Sequence, residues 1–242
     1  GWEMSWQLIA LSLFIFSICI LQFFRNKPED FGMIPDGYEA DNGETKIKVV
    51  ERNFTLAEAK KTRAFWIIGC ILAFNSFFVT GFTFHVVSIF ESIGYTKTQA
   101  ISIFLPISIL AISVSTLCNI LSDYIKHKIY IWVMILSGII ASAGLLLLSK
   151  PLGVYLLILG LGILGGLFAV VNAVTWPRYF GRLHLGAITG KVMSLLVIAS
   201  AIAPSLFSYC YTTLDSYSQM SYITLAFLIF LFIASFKVKN PQ

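Results

Sequence analysis

Charge is scarce in this chain: Asp, Glu, Lys and Arg make up 12% of its 242 residues, about half the share found in an average soluble domain. With 57% of the residues hydrophobic, a soluble core could not hide the apolar surface. Cysteine is equally sparse. Cys19, Cys70, Cys118 and Cys210 lie singly in separate apolar runs, which excludes a disulfide framework and a zinc site. His85, His127 and His184 are too scattered for a metal centre, and the chain has no H-E-x-x-H pair, Gly-rich phosphate loop or nucleophile elbow. No enzymatic chemistry, metal or cofactor is expected.

What is present is a set of long charge-free runs. Residues 6–24, 64–90, 99–121, 129–149, 152–176, 192–211 and 219–236 contain no Asp, Glu, Lys or Arg. A helix crossing a hydrocarbon core of about 30 Å needs about 20 apolar residues, because lipid cannot satisfy the backbone of a looser structure. The expectation is an all-α polytopic membrane protein with seven transmembrane helices. The first run is no signal peptide, since it lacks a basic flank, carries Glu3 instead and is too long.

The net charge of +5 does not point to nucleic acid, because all but Lys97 and Lys150 of the 17 basic residues fall in alternate loops. Residues 25–63, 122–128, 177–191 and the stretch after 236 hold the rest. Basic loops stay in the cytoplasm. The N-terminus is therefore expected outside and the C-terminus inside, in the plasma membrane.

Residues 25–63 form the longest polar stretch, a cytoplasmic linker with turn signals at Lys27-Pro28 and Pro35-Asp36-Gly37. It ends in a capping box, Thr55-Leu56-Ala57-Glu58. The helix that this box opens is expected to run on through Lys60, Lys61 and Arg63 into the membrane. Asn53-Phe54-Thr55 has the form of a glycosylation acceptor, but a cytoplasmic loop does not meet that machinery.

One span before a long basic linker and six after it is the pattern of a twelve-helix transporter cut near its middle. The linker Arg25-Asn26-Lys27-Pro28-Glu29-Asp30-Phe31-Gly32, the stretch Thr62-Arg63-Ala64-Phe65-Trp66 and Arg178-Tyr179-Phe180-Gly181-Arg182 with His184-Leu185-Gly186 carry a likeness. So do Ala203-Pro204 and Asp215-Ser216-Tyr217. Together these resemble the major facilitator superfamily, in its monocarboxylate-permease-like and oxalate/formate-antiporter-like branches. The resemblance implies that 1–24 is the last helix of an N-terminal bundle whose remainder is missing. Residues 25–63 would then be the central linker, and 64–242 a C-terminal six-helix bundle made of two inverted three-helix repeats. The odd span count and the initial Gly agree with a chain that begins partway through a longer protein.

Asn119-Ile120-Leu121-Ser122-Asp123-Tyr124 with Lys126 and Lys128 resembles the family's G-x-x-x-D-R-x-G-x-K/R loop, with Asn119 and Tyr124 in place of Gly and Arg. The resemblance implies a cytoplasmic gate of Asp123, Lys126, Lys128, Arg178 and Arg182; the alternative is a solvated basic turn. On the second run Asn75, Phe78, Phe82 and His85 share a helical face. That face is a candidate wall of the substrate pathway, because polar groups in spans usually face a cavity. Histidine is also the side chain that changes charge between pH 5 and 8. Alternatively, His85 bonds to a neighbouring backbone carbonyl or to interfacial water. Asn172, on a face with Phe168 and Thr175, borders the inner pathway or glues helices. Gly162 and Gly166 form a G-x-x-x-G spacing suited to close helix packing, and Trp176-Pro177 is expected to end that helix.

The implied function is secondary active transport of a small solute by alternating access, with an organic anion among the candidates. The run at 99–121 has no basic residue where the carboxylate-carrying branches place an Arg. The implied partners are the solute, the bilayer and the missing N-terminal half, with no nucleic acid. The competing reading is a non-transporting seven-helix receptor or scaffold.

Overall fold

The structure is a computed structural model that describes residues 1–24, 52–238, 240 and 241. The turn-rich opening of the linker, with Lys27-Pro28 and Pro35-Asp36-Gly37, lies outside the described residues. The chain divides into two units, residues 1–49 and 50–242. What is described of the first is one helix, α1 (Trp2–Phe23), apolar from end to end and with no buried residue.

The second unit contains α2 (Leu56–Ala59), α3 (Arg63–Glu91), α4 (Lys97–Ser102), α5 (Phe104–Leu121), α6 (His127–Leu146), α7 (Pro151–Phe180), α8 (Leu185–Leu214) and α9 (Gln219–Ser235). Among the described residues six helices are long and apolar enough to cross a membrane, with α4 and α5 together counting as one. The expected seventh span is the 17-residue α9, about 26 Å long at 1.5 Å per residue and thus shorter than a bilayer core.

Local chemistry explains where the helices depart from the sequence expectation. The capping box forms: Thr55 accepts from the Glu58 backbone, and the Glu58 carboxylate accepts from the Thr55 N–H and hydroxyl. Those bonds, with Arg52 at 2.6 Å, hold the Glu58 pKa down at about 2. The helix does not run on, however. Thr62 turns extended and caps a new helix by accepting from the Phe65 N–H at 3.2 Å. The expected run at 99–121 is broken at Ile103, because Pro106 has no N–H for the Ser102 carbonyl. Pro177, expected to end α7, lies inside it. The helix stops instead at Gly181, whose φ of +83° and ψ of 177° are open essentially to glycine alone.

Packing brings α6 along α7, α3 along α8, α5 along α7 and α6 against α9. Glycines set the closest approaches. A Cβ on Gly162 would lie 2.6 Å from the Leu110 side chain, and one on Gly166 would lie 2.6 Å from the Ala111 carbonyl oxygen, so these two face α5. Gly81 faces the Phe207 ring, which its Cβ would meet at 2.5 Å. By contrast α5 buries no residue, and α8 buries few. Each leaves a long face that the bundle does not cover.

Candidate functional site

The stripe on α3 separates into two environments. Phe78 and Phe82 are 0% and 1% exposed, and Asn75 is 7% exposed with an Oδ1 that has no hydrogen-bond partner. These three lie in the interior of the bundle, where Phe78 meets Phe207 of α8 and Phe82 meets Phe104 of α5 edge-on. His85 alone is partly uncovered, on a shallow open surface that it shares with α8. Helical spacing identified the face, but not which parts of it the neighbouring helices cover.

His85 is held on both ring nitrogens. Nε2 lies 3.0 Å from the Pro204 carbonyl oxygen; a carbonyl only accepts, so Nε2 carries a proton and donates. Nδ1 lies 3.3 Å from Tyr217 Oη, and Tyr217 donates to Ser88 Oγ at 2.9 Å. A hydroxyl both donates and accepts. The same three partners therefore suit a neutral ring, with Tyr217 turned to Nδ1, and a protonated ring, with Nδ1–H donating to Tyr217. The backbone-carbonyl partner weighed for His85 in the sequence is Pro204. One turn below, Thr80 and Ser200 pair at 2.9 Å, so two polar links sew α3 to α8 on either side of Gly81. Pro204 lacks an N–H, which leaves the Ser200 carbonyl without its helical donor and weakens α8 at this level.

At the opposite end, the basic one, Arg178 Nη2 donates to Asp123 Oδ1 at 2.6 Å and Nη1 donates to the Ser122 carbonyl at 2.8 Å. Arg178 at the end of α7 thus holds the end of α5. Of the residues expected with them, Lys128 donates instead to the Phe236 carbonyl at 3.1 Å and lies over the Trp132 ring. Lys126 and Arg182 form no ion pair among the described residues. Asn172 accepts from the Trp176 indole N–H one turn on at 3.3 Å, and Asn119 donates to the Ser115 carbonyl within its own helix.

His127 was weighed in the sequence only as a metal ligand. Buried at the start of α6, it lies 2.5 Å from Thr175 Oγ1, whose proton goes to the Val171 carbonyl at 2.6 Å. The ring therefore donates from Nε2, and its buried Nδ1 has no partner. His127 joins α6 to α7 near the end that carries the Arg178–Asp123 pair. Only the 48-residue separation from Thr175 hid it.

The same end carries a clamp on the chain before α3. Asn53 Oδ1 accepts from the N–H groups of Arg182 and Leu183 at 3.1 and 3.2 Å, and the Phe54 N–H donates to the Phe180 carbonyl at 2.9 Å. Phe54 packs edge-on against Phe180 in a cluster with Phe65 and Trp176. The formal glycosylation asparagine is thus a loop cap. A Cβ on Gly181 would strike Asn53 Oδ1 and would also strain the backbone. Gly181→Ala is expected to cost about 1–3 kcal/mol and to free residues 52–55. Trypsin should then cut after Lys60 and Lys61 faster than in the parent protein; equal cutting rates would show that the clamp holds nothing.

His85 thus ties α3 to α8 at one end of the bundle, and the Arg178–Asp123 pair ties α7 to α5 at the other. A family model described as Major Facilitator Superfamily matches residues 1–204. No curated protein matches the chain.

Proposed function

Since the chain belongs to the major facilitator superfamily, and so to a family of membrane transporters, we propose that it acts in secondary transport of a small solute by alternating access, as the C-terminal side of the carrier. On this reading α3 to α9 are six spans in two inverted repeats. The pairing supports it: α3 lies on α8, and α7 lies on α5, as exchange of two equivalent three-helix units requires. The basic loops at 122–128 and 177–191 would be cytoplasmic, in the plasma membrane. The receptor reading is set aside, because the family's work is transport.

The observation that carries the proposal is the His85 cradle. In the charge-free runs of the sequence His85 is a titratable ring whose neutral and protonated forms both find full partners, on α8 and on the α8–α9 turn. Binding a proton there reverses the direction of the Nδ1–Tyr217 bond and leaves the Nε2 bond to Pro204 in place, so the ring can take up and release a proton while α3 stays tied to α8. Asn75, with its unfilled Oδ1, would gain a partner when these helices part. Asp123 and Arg178 keep the cytoplasmic ends of α5 and α7 moving as one body. An organic anion, favoured in the branches that the sequence resembles, would have to find its counter-charge in the other half.

His85→Gln keeps a donor for the Pro204 carbonyl but cannot become charged. It is expected to flatten the dependence of uptake on pH between about 5 and 8, the range in which histidine titrates, at wild-type protein yield. A pH profile superimposable on that of the parent would reject the proton-handling role.

A further inference from the structure

Beyond transport, we propose that the start of α3 and the α7–α8 loop together form a binding site for the phosphate of an anionic phospholipid. Lys60, Lys61 and Arg63 lie beside and at the first residue of α3, and Arg182 lies in the loop after α7. All four side chains are exposed, and none has an ion pair among the described residues. Other cations at this end are engaged: Arg52 with Glu58, Arg178 with Asp123, and Lys128 with the Phe236 carbonyl. The Asn53 clamp brings the four together. Asn53 Oδ1 accepts from the Arg182 N–H at 3.1 Å. The rings of Phe65 and Phe180, each two residues from one of the two arginines, meet at 6.3 Å between centroids. These contacts carry no negative charge, and Glu58 is already taken by Arg52 and Thr55. Like charges gathered by neutral contacts repel one another until an anion is supplied. The retention of basic loops in the cytoplasm sets their side of the membrane; it does not gather Lys60 and Arg182 at one corner.

Depth selects a lipid as the source of that anion. Trp66, in the first turn of α3, is 42% exposed, and its indole N–H donates to the Lys60 carbonyl at 2.7 Å. Tryptophan gathers at the level of the lipid headgroups, so this bond pins the Lys60 turn to the same level. Thr62 is extended, which keeps Lys60 and Lys61 out of the span. Their stems lie along apolar surface while the ammonium groups stay at the phosphates. Arg63 and Arg182 offer planar forks, which match two oxygens of one phosphate. A choline headgroup neutralises its own phosphate, whereas a glycerol headgroup leaves that charge to the protein. The corner therefore discriminates by headgroup charge. Each basic residue near a membrane surface adds about fivefold to the preference for an anionic lipid.

The test uses the whole chain in nanodiscs and the quenching of Trp66 by lipids brominated in their acyl chains. Subtracting the signal of Trp66→Phe, made in each background, removes the other tryptophans. Brominated phosphatidylglycerol in a phosphatidylcholine host should quench Trp66 at about tenfold lower mole fraction than brominated phosphatidylcholine does. Lys60→Gln with Lys61→Gln should bring that preference to within about twofold of none. Lys126→Gln with Lys237→Gln removes the same charge beside α6 and α9, from exposed side chains, and should leave the preference as it is. Asn53→Ala keeps every charge but frees the Arg182 loop, and should weaken the preference about threefold, from the loss of its hydrogen bonds. Equal quenching by the two lipids in the parent would overturn the inference. So would equal losses in the two double variants, which would make the preference a field of the whole basic face. Displacement of phosphatidylglycerol by inorganic phosphate would overturn it by making the corner a site for a soluble anion, and an unchanged preference in Asn53→Ala would overturn the part given to the clamp. None of these readouts measures uptake, so each can fail while the pH profile of His85→Gln stands.

Discussion

Gly160→Leu is expected to prevent the bundle from assembling. A Cβ at Gly160 would fall on the backbone of Ala141, 2.6 Å from its Cα and 2.8 Å from its Cβ, and one at Gly144 would fall 2.5 Å from the Leu157 nitrogen. Gly153, further along the same seam, faces the Leu147 backbone. Helices α6 and α7 therefore touch main chain to main chain at three successive levels. No side chain can rotate away there, so room for leucine requires the helices to separate. In a membrane the association of helices rests on close van der Waals contact, since lipid is as apolar as the side chains themselves. Separation at one level loosens the other two, and with them the His127–Thr175 bond at the far end. The cost is on the order of 3–5 kcal/mol, above the 1–3 kcal/mol usual for overpacking because backbone is the obstacle, and a large part of a typical folding margin. Gly165→Leu provides the control, because its Cβ meets only the Ala111 Cβ, at 3.9 Å. In detergent the Gly160 variant should aggregate or melt far below the parent, and the Gly165 variant should melt near it. Equal melting of the two would show that the seam tolerates separation.

That seam also marks how far the sequence could be read. Charge-free length identifies a span without knowledge of its neighbours, so α1, α3, α6, α7 and α8 were legible. Gly162 and Gly166 stood out by spacing and do face a helix, α5. The tighter contact uses Gly160 against Ala141 and Gly144 against Leu157, and no spacing within one helix announces which residue of another it will meet. Helix ends failed where a competing bond decided them. Pro177 reads as a stop, yet the fold continues to Phe180 because Phe180 is buried against Trp176 and Phe65. Thr62 was masked by the stronger capping box seven residues earlier. The α3 stripe illustrates the same limit for the site. Spacing placed Asn75, Phe78, Phe82 and His85 together, but burial of the two phenylalanines depends on Phe207 and Phe104, which the stripe itself does not contain.

Arg178→Asp is expected to slow transport about tenfold without unfolding the protein, equivalent to about 1.4 kcal/mol between the two ends of the transport equilibrium. The native pair is short, at 2.6 Å, but its side chains are 39% and 79% exposed for Arg178 and Asp123. Such a pair contributes about 0–1 kcal/mol to stability, so the bundle should melt within a few degrees of the parent. The reversal does more than delete the pair. It sets two carboxylates against each other at the ends of α5 and α7, and it removes the second donor, Nη1, from the Ser122 carbonyl. Both changes push apart helix ends that α5 and α7 otherwise present as one body, and a packing that holds only on one side of the transport cycle shifts the populations of the two sides. Asp123→Asn should have a smaller effect, because the amide still accepts from Arg178. The informative variant is the double exchange, Asp123→Arg with Arg178→Asp, which restores opposite charges but not the bond to Ser122. It should recover uptake to within about threefold of the parent if charge is the larger part of the latch, since that bond alone is worth about 0.5–1.5 kcal/mol. Recovery in the exchange, with melting unchanged throughout, would fix the role as conformational. Uptake in Arg178→Asp equal to that of the parent would leave Asp123 and Arg178 as a solvated pair at the end of two helices.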